Sequence, residues 1–270
     1  MEVTKHEKNG VVYYAWDEMT AAGAAHGFST RIGGVSAAPM DTLNLGANRG
    51  DDPAAVGENF RRFCGAVGAD ADALVKNHQV HGKTVRPVTA ADRMSSPELP
   101  GVFEADGLCT DRRGLCLTVF SADCTPILLF DPVRRAAAAV HAGWRGTAIG
   151  AAAQGVERMT AEYGCDPANI LTAIGPCISV CCFETHRDVP DGLRAGMGRE
   201  AEVFIHPLPG GEKYMVDLKG ANARWLERAG VRPEHIAVCP ACTACDPESF
   251  WSHRKMGNRR GSMAGVIQIL

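Results

Sequence analysis

The sequence predicts a globular protein of the α/β (α+β) class. Short apolar runs bounded by turn residues, which are typical of strands, alternate with amphipathic patterns of helical period over residues 53–68 and 217–229. The chain has 270 residues, of which 46% are hydrophobic and 22% are charged. This composition is ordinary for a globular protein and suffices for a sizeable core.

Charge, hydropathy and cysteine content exclude several classes of protein. The net charge is −3 and no long Lys/Arg run occurs, so we expect no nucleic-acid partner. No apolar stretch reaches bilayer length and the first residues lack the order of a signal peptide, so we expect a cytoplasmic protein without a membrane partner. The eleven cysteines are an odd number, which favours free thiols over a disulfide scaffold.

A β-hairpin is predicted from two apolar runs, residues 125–130 and 136–140, on either side of the turn-forming segment 131–135. Folding the hairpin at Pro132-Val133 places Cys124 opposite His141. Opposed side chains on one face have β-carbons about 4.5–5.5 Å apart. A thiol and an imidazole at that spacing suit either shared metal ligation or a Cys–His dyad. The alternative is a buried cysteine beside a histidine that bonds to a loop carbonyl.

The helices follow from their start and stop residues. The helix over 53–68 begins at a proline that follows two aspartates, and that over 217–229 begins at an aspartate cap. A third helix is predicted over 148–163, with Thr147 as its N-cap and a glycine after its end. Residues 186–210, which contain three prolines, are predicted to be a linker-like insertion.

Two arginines and two histidines are candidates for binding substrate. Arg145 precedes the predicted helix 148–163, whose N-terminus would attract an anion. Arg31 lies before the Gly33-Gly34 turn, where the alternative is an ordinary surface turn. His78 and His81 lie in chain predicted to be extended, which places them on opposite faces, so we expect one of them to enter the site.

Two groups of three cysteines resemble parts of metal sites, but neither is complete. A structural zinc needs four ligands, and the nearest fourth candidate for the second group is His253. Packing is therefore the favoured role, with structural zinc as the alternative. The groups are Cys177/Cys181/Cys182 and Cys239/Cys242/Cys245.

Several segments together resemble one known family. The laccase-domain, or polyphenol oxidoreductase, family, members of which act as purine nucleoside phosphorylases, has similar segments in the same order over nearly the whole chain. The separation between SADC and HAGWRG is the most specific feature of the match. The matching segments are NHQVHG (77–82), ADGLCTD (105–111), SADCTPILLFDP (121–132), HAGWRGT (141–147), IGPCIS (174–179) and CDPESFWSHRK…GSMAG (245–265).

The resemblance implies a fold and an activity. The fold would be a single domain over residues 1–270 with α/β/β/α layers and mixed sheets, related to cysteine deamidase-like folds. The activity would be phosphorolysis of adenosine, inosine, guanosine and 5′-methylthioadenosine, with adenosine deamination in many members. Purine nucleosides and phosphate would be the small-molecule partners, and we expect a monomer.

The resemblance also implies a zinc ion held by His81, Cys124 and His141, which would be the catalytic residues; copper is the alternative metal. A multicopper oxidase is rejected, because the nine histidines include no His-x-His pair. Arg145 is the first candidate for binding phosphate. The other candidates are Arg31 and Arg254 for phosphate, Asn44 and His78 as substrate donors, and Asp123 as the residue that orients a ligand imidazole.

Two rival functions stay open at this point. The first is a metal-free cysteine hydrolase or deamidase, with Cys124 as nucleophile and His141 as base. His81 separates this hydrolase from the zinc enzyme, because a Cys–His dyad does not need His81 and a metal site does. The second rival is a non-enzymatic metal-binding or redox partner protein, which the eleven thiols suggest.

Overall fold

The computed structural model describes residues 1–270, which form fifteen strands, seven α-helices and five short 3₁₀ helices. The strands are β1 (Thr4–Lys8), β2 (Val11–Ala15), β3 (Ala24–Ser29), β4 (Leu74–Lys76), β5 (Val85–Pro87), β6 (Gly107–Thr110), β7 (Cys116–Ser121), β8 (Thr125–Asp131), β9 (Ala136–Ala142), β10 (Leu171–Ile174), β11 (Glu184–Thr185), β12 (Ile205–Pro207), β13 (Tyr214–Val216), β14 (Ile236–Val238) and β15 (Met263–Ile269). The helices are α1 (Asp17–Ala21), α2 (Pro53–Val67), α3 (Trp144–Ala148), α4 (Ala151–Tyr163), α5 (Asp188–Met197), α6 (Leu218–Arg228) and α7 (His253–Met256).

Two six-stranded sheets form the centre of the fold. The first sheet has the order β1-β2-β3-β15-β7-β4 and the second has the order β14-β10-β8-β9-β6-β5. Each sheet is mixed, since β4–β7, β5–β6 and β10–β14 are parallel pairs among antiparallel ones. A third, three-stranded sheet, β11-β13-β12, lies with α5 and α6. The predicted α+β class with mixed sheets is confirmed.

The core is arranged in layers because successive residues of a strand point to opposite faces. Leu128 and Phe130 of β8 belong to the cluster between the two large sheets, together with Leu117 of β7. Their neighbours Ile127 and Leu129 pack on the other side, against α4. Helix α2 covers the outer face of the first sheet. This gives the predicted α/β/β/α order; the relation to cysteine deamidase-like folds stays a prediction.

The predicted hairpin is formed by β8 and β9, but the predicted register was wrong by two residues. Pro126, rather than Cys124, lies opposite His141. The reason is the turn, in which the side chain of Asp131 accepts hydrogen bonds from the amides of Val133 and Arg134, at 2.8 and 3.0 Å. Asp131 therefore stays in the ladder and pairs with Ala136. A shift of two residues keeps every side chain on its predicted face.

Among the helices, α2 and α6 confirm the predicted segments, and two other predictions were wrong. Thr147 is not an N-cap, because it lies inside α3 and a left-handed glycine, Gly150, separates α3 from α4. Residues 186–210 are not a linker, because they form α5, a 3₁₀ helix and β12 around buried Leu193. No helix has the length and apolarity needed to span a bilayer.

Candidate metal centre and active site

Three separate parts of the chain bring His81, Cys124 and His141 together. His81 lies in the loop between β4 and β5, Cys124 lies in the turn between β7 and β8, and His141 lies on β9. One ligand atom of each residue lies within 4.8 Å of the others, and Cys124 Sγ is 3.9 Å from His81 Nε2. Ligands of a tetrahedral zinc, bound at its usual lengths, lie about 3.6 Å apart. The arrangement therefore fits a metal held by two imidazoles and one thiolate.

Asp106, at the start of β6, orients both histidines. Its carboxylate lies 2.9 Å from Nδ1 of His141, which leaves Nε2 of that ring for a metal. The same carboxylate accepts hydrogen bonds from the amides of His81 and Gly82, at 2.9 and 2.7 Å. These bonds hold His81 in a left-handed conformation, with φ of 62°. One fully buried carboxylate thus fixes two of the three candidate ligands.

The charges of the site favour a thiolate at Cys124. Burial opposes ionisation, but the positive charge of His141 and the hydrogen bonds from both histidines outweigh it and lower the pKa of Cys124 to about 6. Burial likewise opposes charge on His141, yet the thiolate and Asp106 raise its pKa to about 9. A cation facing the sulfur is therefore stabilised here, whether it is an imidazolium or a metal ion.

Gly143 makes the close approach of these ligands sterically possible. A β-carbon at this position would lie 2.8 Å from Cδ2 of His81 and 3.2 Å from Sγ of Cys124. The backbone of Gly143 has φ of −67°, which any residue can adopt. Space at the site, rather than backbone freedom, is therefore the reason for glycine here.

The triad opens into a cavity of about 360 Å³. This volume lies within the range of small-molecule sites. No carboxylate lines the cavity, and most of its other lining groups are polar. They include the side chains of Asn48, Asn77, His78 and Gln79, the partly buried ring of Phe120, and two arginines, Arg49 and Arg260.

Arg49 and Arg260 give the cavity a positive charge, and no carboxylate of the cavity lining opposes it. Neither forms an ion pair, and Nε of the buried Arg260 has no hydrogen-bond partner. Burial, followed by the charge of Arg49, lowers the pKa of Arg260 to about 10, against the opposite effects of Asp123 and Cys124. Two guanidinium groups that line one cavity, with no carboxylate in its lining, suit an anionic ligand.

The chain is similar to known proteins over nearly its whole length. Residues 25–270 match the family described as multi-copper polyphenol oxidoreductase laccase. The chain belongs to this family. It is 38% identical over 255 residues to the purine nucleoside phosphorylase YlmD of Geobacillus stearothermophilus, covering 91% of this chain and 90% of YlmD. The crystal structure of YlmD from that organism superimposes with a TM-score of 0.91 at 34% identity, covering 100% of this chain and 99% of YlmD.

A mammalian member of the family is longer than this chain. The mouse purine nucleoside phosphorylase LACC1 is 34% identical over 251 residues, which are 90% of this chain. The match covers 55% of LACC1, so the chain spans about half the length of that relative.

Within this member of the laccase family, His78 lines the cavity together with the triad, so the expectation that only one of the two histidines would enter it was wrong. The left-handed residue His81 interrupts the alternation on which that expectation was based. Asn44 lies behind the cavity wall, where its side-chain oxygen accepts hydrogen bonds from the amides of Gly46 and Ser262, both at 2.9 Å. It therefore shapes the wall rather than facing the cavity.

The three predicted phosphate ligands lie outside the lining of the cavity. Arg145 is exposed and stacks on Trp144, with its guanidinium carbon 4.2 Å from the ring centre. The guanidinium of Arg31 donates to the carbonyls of Asp41 and Pro247. Arg254 donates to the carbonyl of Cys182.

Asp123 hydrogen-bonds to neither imidazole. Its carboxylate accepts hydrogen bonds from Thr243, Ser252 and the amide of Arg254, at 2.6, 3.0 and 2.6 Å. Asp106 takes the orienting role that was predicted for Asp123.

Sequence reasoning missed Asp106, Arg49 and Arg260. Asp106 lies in the ADGLCTD segment, where an aspartate beside a glycine indicated only a turn. The two arginines are far apart in sequence and belong to no local motif. His253 was predicted to be the nearest fourth ligand for the second cysteine group; instead, Cys181 and Cys182 lie beside Cys242 and Cys245.

Proposed function

We propose that the chain is a zinc-dependent purine nucleoside phosphorylase. One observation carries the proposal: a single cavity contains both the His81–Cys124–His141 triad and the unpaired arginines Arg49 and Arg260. Phosphorolysis needs a positive site for phosphate beside groups that promote departure of the purine. The names of the mouse and Geobacillus relatives support the same activity.

His81, Cys124 and His141 would hold the metal, with copper as the alternative to zinc. Thiolate and neutral imidazole are ligands that suit both ions. Three protein ligands leave a fourth position free, which is typical of catalytic zinc, and zinc there would supply Lewis-acid chemistry. Asp106 keeps His141 in the tautomer that presents Nε2.

Arg49 and Arg260 would bind the phosphate that attacks the ribose. Nε of Arg260 is free to donate, while Nε of Arg49 lies 3.3 Å from Oγ of Ser262. This fixed pair would place the phosphate oxygens and oppose their charge. His78 stays our predicted donor to the substrate.

We further propose that adenosine, inosine, guanosine and 5′-methylthioadenosine are substrates and that adenosine is also deaminated. The products of phosphorolysis would be the free base and ribose 1-phosphate or its methylthio analogue. That residues 1–270 act as one cytoplasmic, monomeric domain stays a prediction.

A metal-free cysteine hydrolase is the second candidate, and the line Asp106–His141–Cys124 favours it. A carboxylate on one side of the imidazole and a low-pKa thiol on the other are the parts of a nucleophilic triad. The experiment that separates the candidates compares zinc content and activity of the wild type and His81→Ala. Phosphorolysis lost together with zinc supports our proposal, and activity retained without zinc supports the hydrolase.

The direct test supplies inosine and inorganic phosphate to the zinc-loaded protein. We expect hypoxanthine and ribose 1-phosphate in equal amounts, and no base without phosphate. Adenosine, guanosine and 5′-methylthioadenosine are assayed in parallel. Absence of product from every nucleoside, with zinc bound, would refute the phosphorylase and leave a non-enzymatic metal-binding or redox protein.

Arg260→Met tests the phosphate site, with Arg145→Met as the matched control. A hydrogen bond to a charged group contributes about 1.5–3 kcal/mol, so we expect KM for phosphate to rise about 10- to 100-fold. The KM for the nucleoside should change much less. If Arg145→Met rather than Arg260→Met raised the phosphate KM, the assignment of the arginines would be reversed.

A further inference from the structure

A second group of side chains that could hold a metal ion lies in two loops at the end of the second sheet. Cys181 and Cys182 belong to the loop after β10, and Cys242 and Cys245 belong to the loop after β14. The four sulfur atoms all lie within 4.8 Å of one another. Sγ of Cys245 is 3.4 Å from that of Cys181 and 3.3 Å from that of Cys182. None of the four residues lines the cavity of the first site.

We propose that Cys181, Cys182, Cys242 and Cys245 form a structural zinc site that fastens these two loops to each other. At the usual zinc–sulfur length, the thiolates of a tetrahedral site lie about 3.8 Å apart. The spacing of these sulfurs brackets that value. Four thiolates leave no open position, and this is the composition of structural rather than catalytic zinc sites.

The same spacing argues against two other uses of the thiols. A disulfide has sulfur atoms about 2.05 Å apart, and the pairs at Cys245 are much wider than that. An iron–sulfur cluster places several metal and sulfide atoms between its cysteines, and these four thiols lie too close to enclose them. The remaining use of the four thiols is to bind a single metal ion at their centre.

The main chain around the cysteines supports a metal-bound thiolate. The amide of Ser179 donates to Sγ of Cys242, at 3.3 Å. The amide of Cys245 donates to the carbonyl of Cys242, which closes the turn of this Cys-x-x-Cys segment. The guanidinium of Arg254 adds positive charge near the site by donating to the carbonyl of Cys182, at 3.1 Å. Amide donors and a nearby cation offset the double negative charge of four thiolates around one zinc.

Both fastened loops hold the turn that carries Cys124. The amide of Ile178 donates to the carbonyl of Asp123, at 3.0 Å. From the other loop, Thr243 donates to the carboxylate of Asp123, at 2.6 Å. Asp123 has φ of 85°, a conformation that a residue with a side chain rarely adopts without such support. The thiol site would therefore stabilise the turn that carries Asp123 and Cys124, while taking no part in the reaction.

Metal analysis in a background without the first site tests the proposal independently of the proposed function. Cys124→Ala protein, purified with zinc and dialysed, should retain about one zinc per chain with four sulfur ligands by X-ray absorption. Adding Cys181→Ser and Cys245→Ser should remove that zinc; both residues are exposed, so the changes disturb little packing. Cys177→Ala and Cys239→Ala are matched controls from the same two groups, and they should retain it.

A measurement on the unaltered chain guards against a variant that fails to fold. Alkylation of zinc-loaded wild-type protein should spare the four cysteines, and a chelator should expose all four together. The proposal is overturned if Cys124→Ala binds no metal, or if the double serine variant is folded and keeps its zinc. A disulfide among the four, or iron in place of zinc, would also overturn it.

Discussion

The two proposed metal sites, the His81–Cys124–His141 triad and the group of four thiols, differ in the features that separate a catalytic site from a structural one. The triad has three ligands of two kinds, lies at a polar cavity, and is oriented by a buried carboxylate. The thiol group has four ligands of one kind, lies outside the cavity, and connects two loops. A ligand set that leaves a position open can accept a substrate, whereas a closed set can only stabilise. We therefore expect mutations in the triad to lower activity and mutations in the thiol group to lower stability.

The largest effect separates Cys124 from Cys245. Removal of a ligand from the open site should abolish a stabilisation of several kcal/mol, so Cys124→Ala should lower kcat/KM for phosphorolysis by about 10³-fold or more. Its melting temperature should change little. Cys245→Ser should show the reverse, with a lower melting temperature and most of its activity retained. Equal losses of activity in the two variants would contradict the distinction.

Asp106→Asn tests whether the open site depends on its supporting carboxylate. The amide keeps the size of the side chain but not the charge that holds His141. Loss of such a partner typically costs 10- to 100-fold in metal affinity or activity, and we expect a loss of about that size in zinc affinity, measured by competition with a chelator. Asp111→Asn, an exposed change in the same segment, should have no effect.

Gly143→Ala should disturb the triad without disturbing the fold. The added methyl group would contact His81 and Cys124, while the backbone conformation suits alanine. We expect zinc affinity to fall about tenfold, since one imidazole must shift, and the melting temperature to stay unchanged. The control is Gly65→Ala on α2, where the methyl group meets nothing and should stabilise the helix by about 0.5–1 kcal/mol. Unchanged zinc affinity in Gly143→Ala would show that the ligands are looser than described.

An effect that appears only at acid pH concerns a second buried histidine, His26, which lacks the carboxylate partner that His141 has. His26 has no carboxylate partner, its Nε2 accepts a hydrogen bond from the amide of Trp16, and burial lowers its pKa to about 4. Between pH 6.5 and 4 the unfolded chain takes up a proton that the folded chain refuses, so stability falls as pH falls. The full loss is about 3 kcal/mol.

Urea unfolding at several pH values measures this loss. His26→Gln should flatten the acid limb of the stability curve, and His206→Gln, a change at an exposed histidine on β12, should leave it unaltered. An acid limb that is identical in wild type and His26→Gln would refute the assignment.

The sequence predicted those features that depend on local pattern. The strands on both sides of Cys124 and His141 and the helices α2 and α6 follow from apolar periodicity and caps. The hairpin register did not, because the side chain of Asp131 decided the turn. A slip of two residues preserved the face, so the two ligands still met.

The sequence could not predict which distant loops contact each other in the fold. Cys182 and Cys242 are sixty residues apart, and their spacing becomes meaningful only when β10 and β14 lie side by side. Arg49 and Arg260 likewise meet only after β15 has returned to the centre of the first sheet. His81 departed from alternation because hydrogen bonds to Asp106 hold its backbone in a left-handed turn.

The shared carboxylate of Asp106 has a consequence for how selectively the proposed site would bind a metal ion. Since it holds both the ring of His141 and the main chain at His81, two donors stand in place before any ion arrives. Ordering of a flexible side chain on binding costs about 0.5–1.5 kcal/mol, and here much of that cost is met during folding. Ions whose radius or geometry requires the two rings to separate would have to break bonds to a buried anion. We therefore expect the proposed metal site to be stiff and to discriminate among metals of similar charge.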